Sequence, residues 1–365
     1  MTERTRVIRS PGRVNLIGEH TDYHDGFVLP VAIDLEIRLA IEPTDDDRVE
    51  ITLDETGERD GFSLDALPDR EGRWIDYVAG VAWALAEAGL ARNGFRGHLT
   101  STLPVAAGLS SSAALELAAM WALSGGAAPP IDPMAAAKIA QRAENEFVGV
   151  RCGLMDQFAV ACGRAGHALL LDCRSEAWEP VPLPDDLALV VIHTGSERSL
   201  ATSAYNDRRA DGERAVEALG VRSLRDVDAA MLAERQAAMD PVAARRARHV
   251  VDENARVLAT VDALRTGDHD ALGDLFAESH ASLRDLYEVS SPELDRLVVL
   301  ATAVPGVIAA RMTGAGFGGC TINLVQPDGV DRLRAAIADG YRSDDDGERA
   351  WLRVVRAVDG VGLLD

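Results

Sequence analysis

Lys138 is the only lysine in a chain of 365 residues, and the other fixed cations are arginines. That single fact removes whole architectures. A Walker-type phosphate loop needs a lysine directly after its glycines, and the protein-kinase fold needs one on an early strand. No GxxxxGK[ST] pattern occurs, and Lys138 lies in PMAAAKIAQRAE, an alanine-rich stretch that reads as helix. Any phosphate chemistry here must therefore use backbone N–H groups, arginine and metal.

The net charge of -22 disfavours a nucleic-acid partner, which would need a basic surface to displace counterions. It reads as a solvated acidic surface. An anionic ligand would be repelled at long range, so a phosphate site is expected to be locally positive. The length suits two domains or one large one, with ample core. No run of about 18 apolar residues is present, so no membrane helix is expected. MTERTRVIRSPGR has no apolar stretch to act as a signal peptide. Cys152, Cys162, Cys173 and Cys320 show no metal spacing and are too sparse for a disulfide framework. They read as core residues of a protein in the reducing cytoplasm.

Along the chain, Ile33, Leu35, Ile37, Leu39 and Ile41 alternate with mostly polar residues, the period of a half-buried strand, and Val49, Ile51 and Leu53 repeat it. An early antiparallel sheet follows. Tyr77, Val78, Val81 and Leu85 predict a helix over 74–90, and a strand is expected at 95–102. Asp132-Pro133 and Ser291-Pro292 are helix starts, a capping side chain followed by a proline whose missing N–H costs nothing there. The first of these helices should reach about Phe147. Short apolar runs lie at 168–172 and 187–193, 203–290 reads as largely helical, and 321–325 as a strand. Strands and helices alternate irregularly, which predicts a mixed α/β or α+β class, and α+β is the assignment taken forward. Pro180, Pro182 and Pro184 suggest a boundary near 175–185. The arginines of PVAARRARHVV read as a solvated helix face, and His280 as structural.

Three segments carry chemistry. Arg13 to Pro30 brings Arg13, Asn15, Glu19, His20, Asp22 and Tyr23 together between two prolines. Carboxylates, amide and imidazole suit a polyhydroxylated ligand, because each hydroxyl both donates and accepts. A polar turn is the other reading, since aspartates also favour turns. Leu103 to Ala118, LPVAAGLSSSAALELA, runs a small-residue loop into a helix whose first N–H groups suit a phosphate. Its serines could equally be an ordinary N-cap. Arg311 to Val325 holds a glycine cluster at Gly314–Gly319 that lets backbone approach a ligand, or simply turns the chain.

Together the three resemble a known family. GRVNLIGEHTDYHDGFVLP resembles the galactokinase signature, GLSSSAALE the nucleotide motif of the GHMP kinases, and MTGAGFGGCT the third motif of that superfamily. CGLMDQF, LLDCRS and ESHASLRDLYEVSSPELD are also similar to galactokinase blocks. The resemblance implies a two-domain GHMP kinase fold of mixed sheets and helices, with residues 1–180 and 181–365 as the domains and the active site in the cleft between them. It implies transfer of the ATP γ-phosphate to the anomeric hydroxyl of galactose, by a loop at Pro104–Ala114 that needs no lysine.

By the same resemblance Arg13 and Asp156 are the catalytic pair. Asp156 would take the hydroxyl proton while Arg13 stabilises the charge on the phosphoryl group, or both would only position and polarise the hydroxyl. Glu19, His20, Asp22, Gly153 and Tyr205 would bind the sugar. Gly108, Leu109, Ser110, Ser111, Ser112 and Ala113 would hold ATP, with Trp74 and Tyr77 near the adenine. Ser112 and Glu144 would ligate Mg2+. Ala315 stands where a glycine is common, which is tolerable unless the position needs a positive φ. A monomer with small-molecule partners only is expected. The alternatives are a kinase for a related sugar such as N-acetylgalactosamine, or a non-catalytic galactose sensor. The intact GLSSSAA loop, Arg13 and Asp156 speak against the sensor.

Overall fold

The structure is a computed structural model that describes residues 5–104, 107–195, 201–341 and 350–364. In chain order its first half contains β1 (Arg6–Asn15), the two-residue β2 (Phe27–Val28), β3 (Pro30–Pro43), β4 (Arg48–Leu53), β5 (Arg59–Ser63), α1 (Ile75–Glu87), β6 (Phe95–Ser101), α2 (Ser111–Leu123), α3 (Pro133–Arg142), α4 (Met155–Cys162), β7 (His167–Asp172) and β8 (Trp178–Pro182). Then come β9 (Ala188–His193), α5 (Ala201–Leu219), α6 (Ala229–Arg235), α7 (Pro241–Thr266), α8 (His269–Ser282), α9 (Pro292–Thr302), β10 (Val307–Thr313), β11 (Cys320–Val325), α10 (Val330–Gly340), β12 (Trp351–Val355) and β13 (Gly362–Leu364).

The alternating residues of β3 bury Ile37, Leu39 and Ile41 and make it central in a six-stranded sheet of order β13-β1-β3-β6-β4-β5. All its pairings are antiparallel except β4 with β6. Helix α2 packs on β1 and β3, flanked by α1 and α3. A second sheet, β10-β11-β9-β12, is covered by α8 and α9, and α7 lies between α5 and α8. β11 is buried along its whole length, Thr321 and Asn323 included, and the Asn323 amide donates to the Val190 carbonyl at 3.0 Å and to the Thr321 hydroxyl at 3.1 Å. A small third sheet, β2-β7-β8, completes the fold. β13 returns to pair with β1, so the last residues of the chain complete the first sheet.

Several expectations need correction. The segment from Arg13, read as a loop, begins inside a strand: Arg13, Val14 and Asn15 pair with Ala32, Val31 and Pro30. Pro11-Gly12 hides the strand in the sequence, and a register shift between those two residues accommodates them. Pro180 and Pro182 do not end the pattern. They sit in β8, an edge strand, where a missing N–H breaks no ladder. The helix expected to run to Phe147 changes at Ala143 into a wider π-turn, Ala143–Val148, closed by Gly149 at φ 85°. Arg246, placed on a solvated helix face, is buried; its guanidinium donates to Asp211, to Glu288 and to the carbonyl of Leu286.

Candidate active site

A cavity of about 250 Å³ opens where the end of β1, the turn after it, the start of α2, the π-turn, the loop before α4, helix α5 and the glycine loop after β10 converge. Arg13 projects from the last residues of β1 and is 4% exposed. Its Nε and Nη2 donate to the two carboxylate oxygens of Asp156, each at 2.8 Å, and Nη1 donates to the Gly108 carbonyl at 2.7 Å. Such a fork fixes both partners in one plane. Asp156, in the first turn of α4, makes no capping bond there, so its carboxylate is spent on the cavity rather than on its own helix.

The same cavity is lined by Glu19, His20 and Asp22 from the segment that follows β1. Asp22 accepts the backbone N–H of Tyr23 at 3.0 Å and that of Met155. Burial, then the charge of Asp156, raises its carboxyl to about 6. Gly153 packs directly on it: a Cβ there would stand 1.9 Å from Oδ2 of Asp22. Glu19 is 1% exposed; it is paired with Arg311 and accepts the Gly314 N–H at 3.1 Å. His20 adopts φ 63° and is held neutral, its pKa pulled to about 3 by burial. Its Nε2–H donates to the Ala315 carbonyl at 3.1 Å, so Nδ1 must accept from the Tyr23 hydroxyl at 2.8 Å, and Tyr23 in turn accepts from Tyr287 at 2.9 Å. Tyr205 stands beside this chain, 5.6 Å from the His20 ring.

The serine loop closes the other side. Ser110 takes the left-handed conformation (φ 61°), caps nothing, and leaves a buried hydroxyl without a partner in the protein. The reading as an ordinary N-cap is thereby excluded, and Ser111 and Ser112, the first residues of α2, line the cavity. The Ser112 hydroxyl bonds to Glu144, whose carboxylate also accepts from Gln157 at 2.6 Å. Burial and the charge of Asp156 raise Glu144 to about 7. Glu116, one helical turn beyond Ser112, accepts the same Gln157 amide at 3.1 Å and keeps one carboxylate oxygen buried and unpartnered.

Most of the expected site residues converge here, and three do not line the cavity. Leu109 and Ala113 are core residues; Leu109 contributes its carbonyl to the N–H of Arg13 at 3.0 Å. Trp74 stands apart with its indole N–H on Glu58 at 2.8 Å, and Tyr77, one turn on, reaches the cavity instead. Val105 and Ala106 of the small-residue loop lie outside the described residues. The expectation of a locally positive site also fails for the side chains: one cation, Arg13, faces Glu19, Asp22, Glu144 and Asp156. Ala315 is not among the positive-φ residues, although Gly314, Gly316 and Phe317 around it are. Sequence reasoning missed Glu116, Gln157, Arg311 and Tyr287. The signal for Glu116 was its spacing of four from Ser112; Arg311 and Tyr287 carried none that separated them from core residues. Cys152, read as core, lines the cavity, and its thiol donates toward Glu144.

Comparison with known proteins completes this geometry. Residues 2–43 match the galactokinase galactose-binding signature, 76–164 the GHMP kinases N terminal domain, and 260–343 the GHMP kinases C terminal domain. A galactokinase from Roseiflexus sp. (strain RS-1) is 46% identical over 363 residues, covering 98% of this chain and 93% of the relative. The chain belongs to the galactokinase family. The crystal structure of Lactococcus lactis galactokinase complexed with galactose superposes with a TM-score of 0.92 at 34% identity, over 100% of this chain and 96% of that one. Mevalonate kinase from Methanococcus jannaschii shares the GHMP fold, with a TM-score of 0.71 at 18% identity over 98% and 100% of the two chains. The signature of the galactokinase family thus falls on β1, the turn after it and β3, the elements that carry Arg13, Glu19, His20 and Asp22.

Proposed function

We infer that this chain transfers the γ-phosphoryl group of ATP to the anomeric hydroxyl of D-galactose, giving galactose 1-phosphate and ADP. The observation that carries the reading is the Arg13–Asp156 fork set between the serine loop and Asp22. A hydroxyl resting on Asp156 would lie between the group that can accept its proton and the helix start that can hold phosphate. Arg13 keeps both carboxylate oxygens aimed and stabilises charge that builds on the transferred group. Asp22, with its ionised carboxylate, and the walls at Gly153 and Tyr205 would receive the sugar hydroxyls, while Glu19 and His20 shape that wall from bonds they already make.

Mg2+ fits the far end of the cavity. The Ser112 hydroxyl sits on the Glu144 carboxylate, and a buried oxygen of Glu116 lacks a partner beside them. Ser112 and Glu144 would hold the ion, which when bound neutralises phosphate charge that four carboxylates would otherwise repel. The adenine would extend past Tyr77, with Trp74 at the outer edge. We also propose the division into residues 1–180 and 181–365, with β13 crossing back, and a monomer in the cytoplasm. The last fits the free thiols of Cys152, Cys162 and Cys173, and no helix among the described residues is long and apolar enough to cross a membrane.

A coupled ADP-release assay with galactose, N-acetylgalactosamine and Mg-ATP tests the reaction. Turnover of galactose is expected. Galactose binding without turnover would instead identify a sensor, and preference for N-acetylgalactosamine a related kinase. Asp156→Asn should lower kcat by about 10²–10⁴ with an unchanged Tm, and turnover equal to wild type would remove Asp156 from the chemistry.

A further inference from the structure

Behind the sugar-facing wall lies a chain of buried charges that the reaction does not touch. Arg311 is 0% exposed, and so is Glu253 on α7. Arg311 donates through Nη1 to the Leu16 carbonyl at 2.6 Å and through Nη2 to Glu19. Glu253 accepts the Gly18 N–H at 3.1 Å, the Ser279 hydroxyl at 2.6 Å and Arg256 Nε at 2.7 Å, and its Oε1 lies 3.9 Å from Arg311 Nη2. One turn earlier on the same face of α7, His249 donates to the Glu19 carbonyl at 3.1 Å. Backbone atoms of residues 16, 18 and 19 are therefore all held by side chains that come from beyond residue 240.

Burying such a chain is costly, and ion pairs of this kind seldom stabilise a fold more than apolar packing would. What they do provide is direction. The segment they hold lies outside regular structure: Gly18 takes φ 101° and His20 φ 63°. It is also tied by the Leu16 N–H on the Leu29 carbonyl, the Leu29 N–H on the Ile17 carbonyl and the Thr21 hydroxyl on the Gly18 carbonyl, and none of these three bonds involves Glu19 itself. Two rigid elements, α7 and β10, set that segment through hydrogen bonds of fixed geometry.

We propose that Arg311 and Glu253 are positioning residues for the sugar, acting only through Glu19 and the Leu16–His20 backbone. This rests on the galactose reading of the cavity. Neither residue lines the cavity, so any effect on sugar binding is transmitted through Glu19 and its segment. The ATP side, built on α2 and the π-turn, shares none of these bonds. A galactose-specific defect follows, whereas a merely structural role would lower stability and leave the kinetics of the folded fraction alone.

The test compares Arg311→Lys, which keeps the charge and loses the fork, Glu253→Gln, and the milder Ser279→Ala. Each is read by KM for galactose, KM for ATP, and calorimetric galactose binding, with Tm as the control for folding. A rise in galactose KM of about 10- to 100-fold is expected for the first two, smaller for Ser279→Ala, with ATP KM within about twofold. In the cycle Glu19→Gln, Arg311→Lys and both together, the double variant should lose clearly less than the sum of the two single losses, because part of the arginine's effect passes through that glutamate and the rest through the Leu16 carbonyl. Unchanged galactose KM in the folded variants, or equal loss for both substrates, would overturn the proposal. If Arg311→Lys does not fold, Glu253→Gln and Ser279→Ala decide it. Wild-type turnover of galactose tests the functional reading separately, so the two can fail independently.

Discussion

A methyl group on Gly153 would stand 1.9 Å from one oxygen of Asp22 and 2.1 Å from its Cγ. Nothing in the sequence near Gly153 announces that contact; it arises because the loop before α4 lies against the turn after β1. Gly153→Ala should therefore push Asp22 aside and raise KM for galactose at least about tenfold, with a smaller effect on KM for ATP; steady-state kinetics against both substrates checks this. Asp22 itself links binding to pH. Its folded pKa is raised from 3.8 to about 6 by burial and by Asp156, so the group favours the fold below pH 4 and that contribution is lost as the pH rises through 6. The span corresponds to about 3 kcal/mol. Asp22→Asn should raise the Tm of the ligand-free protein at pH 8, by an amount that vanishes near pH 4, while weakening galactose binding. In the wild type, kcat/KM for galactose should fall as the pH drops through about 6, because only the ionised carboxylate accepts hydroxyl hydrogens well. A flat wild-type profile across that range would remove Asp22 from the sugar site.

Two elements owe their function to departures from regular geometry. The π-turns Ala143–Val148 and Leu283–Tyr287 each end in a left-handed residue, Gly149 and Glu288, and each delivers a side chain to the site region: Glu144 to the cavity wall, Tyr287 to the hydrogen-bonded chain with Tyr23 and His20. Wide turns of this kind recur at functional sites. The glycine loop is a further case. Gly314, Gly316, Phe317, Gly318 and Gly319 all have positive φ, whereas Ala315 does not, and its carbonyl fixes His20. Ala315→Gly should change kcat/KM by less than about threefold and lower stability by about 0.5–1 kcal/mol through added chain freedom. Much higher activity in that variant would mean that the alanine distorts the loop. Helix starts at Asp132 and Ser291 were legible because capping is local: each side chain accepts the N–H three residues on. The π-turns were not, since apolar spacing cannot distinguish a helix that continues from one that widens by a residue.

For the molecule as a whole, charge is the governing quantity. The chain carries a formal net charge of -22 and the cavity walls hold four carboxylates against one arginine. A nucleotide therefore needs its own counter-cation, whereas a neutral sugar does not. Chelation with EDTA should abolish turnover and nucleotide binding yet leave the calorimetric galactose signal intact. Persistence of turnover in EDTA would show that backbone N–H groups and Arg13 suffice. The two halves of the chain are also tied together beyond the cleft: β13 completes the first sheet, and Arg311, Glu253 and His249 hold the segment after β1.

The sequence alone determined that the fold mixes helices and sheets, where the three polar and glycine-rich segments lie, and that no lysine follows a glycine-rich loop, because each depends on residues close together in the chain: a capping pair, an alternating strand, a serine–alanine loop before a helix. Tertiary structure decided the rest. It made Arg13 the end of a strand, brought Tyr77 but not Trp74 to the cavity wall, set Glu116 and Gln157 beside Glu144, and placed Arg311 behind Glu19. Those outcomes depend on which faces meet between segments far apart in the chain, 143 residues for Arg13 and Asp156 and 292 for Arg311 and Glu19, and the burial that raises the carboxyl groups of Asp22 and Glu144 exists only once they have met.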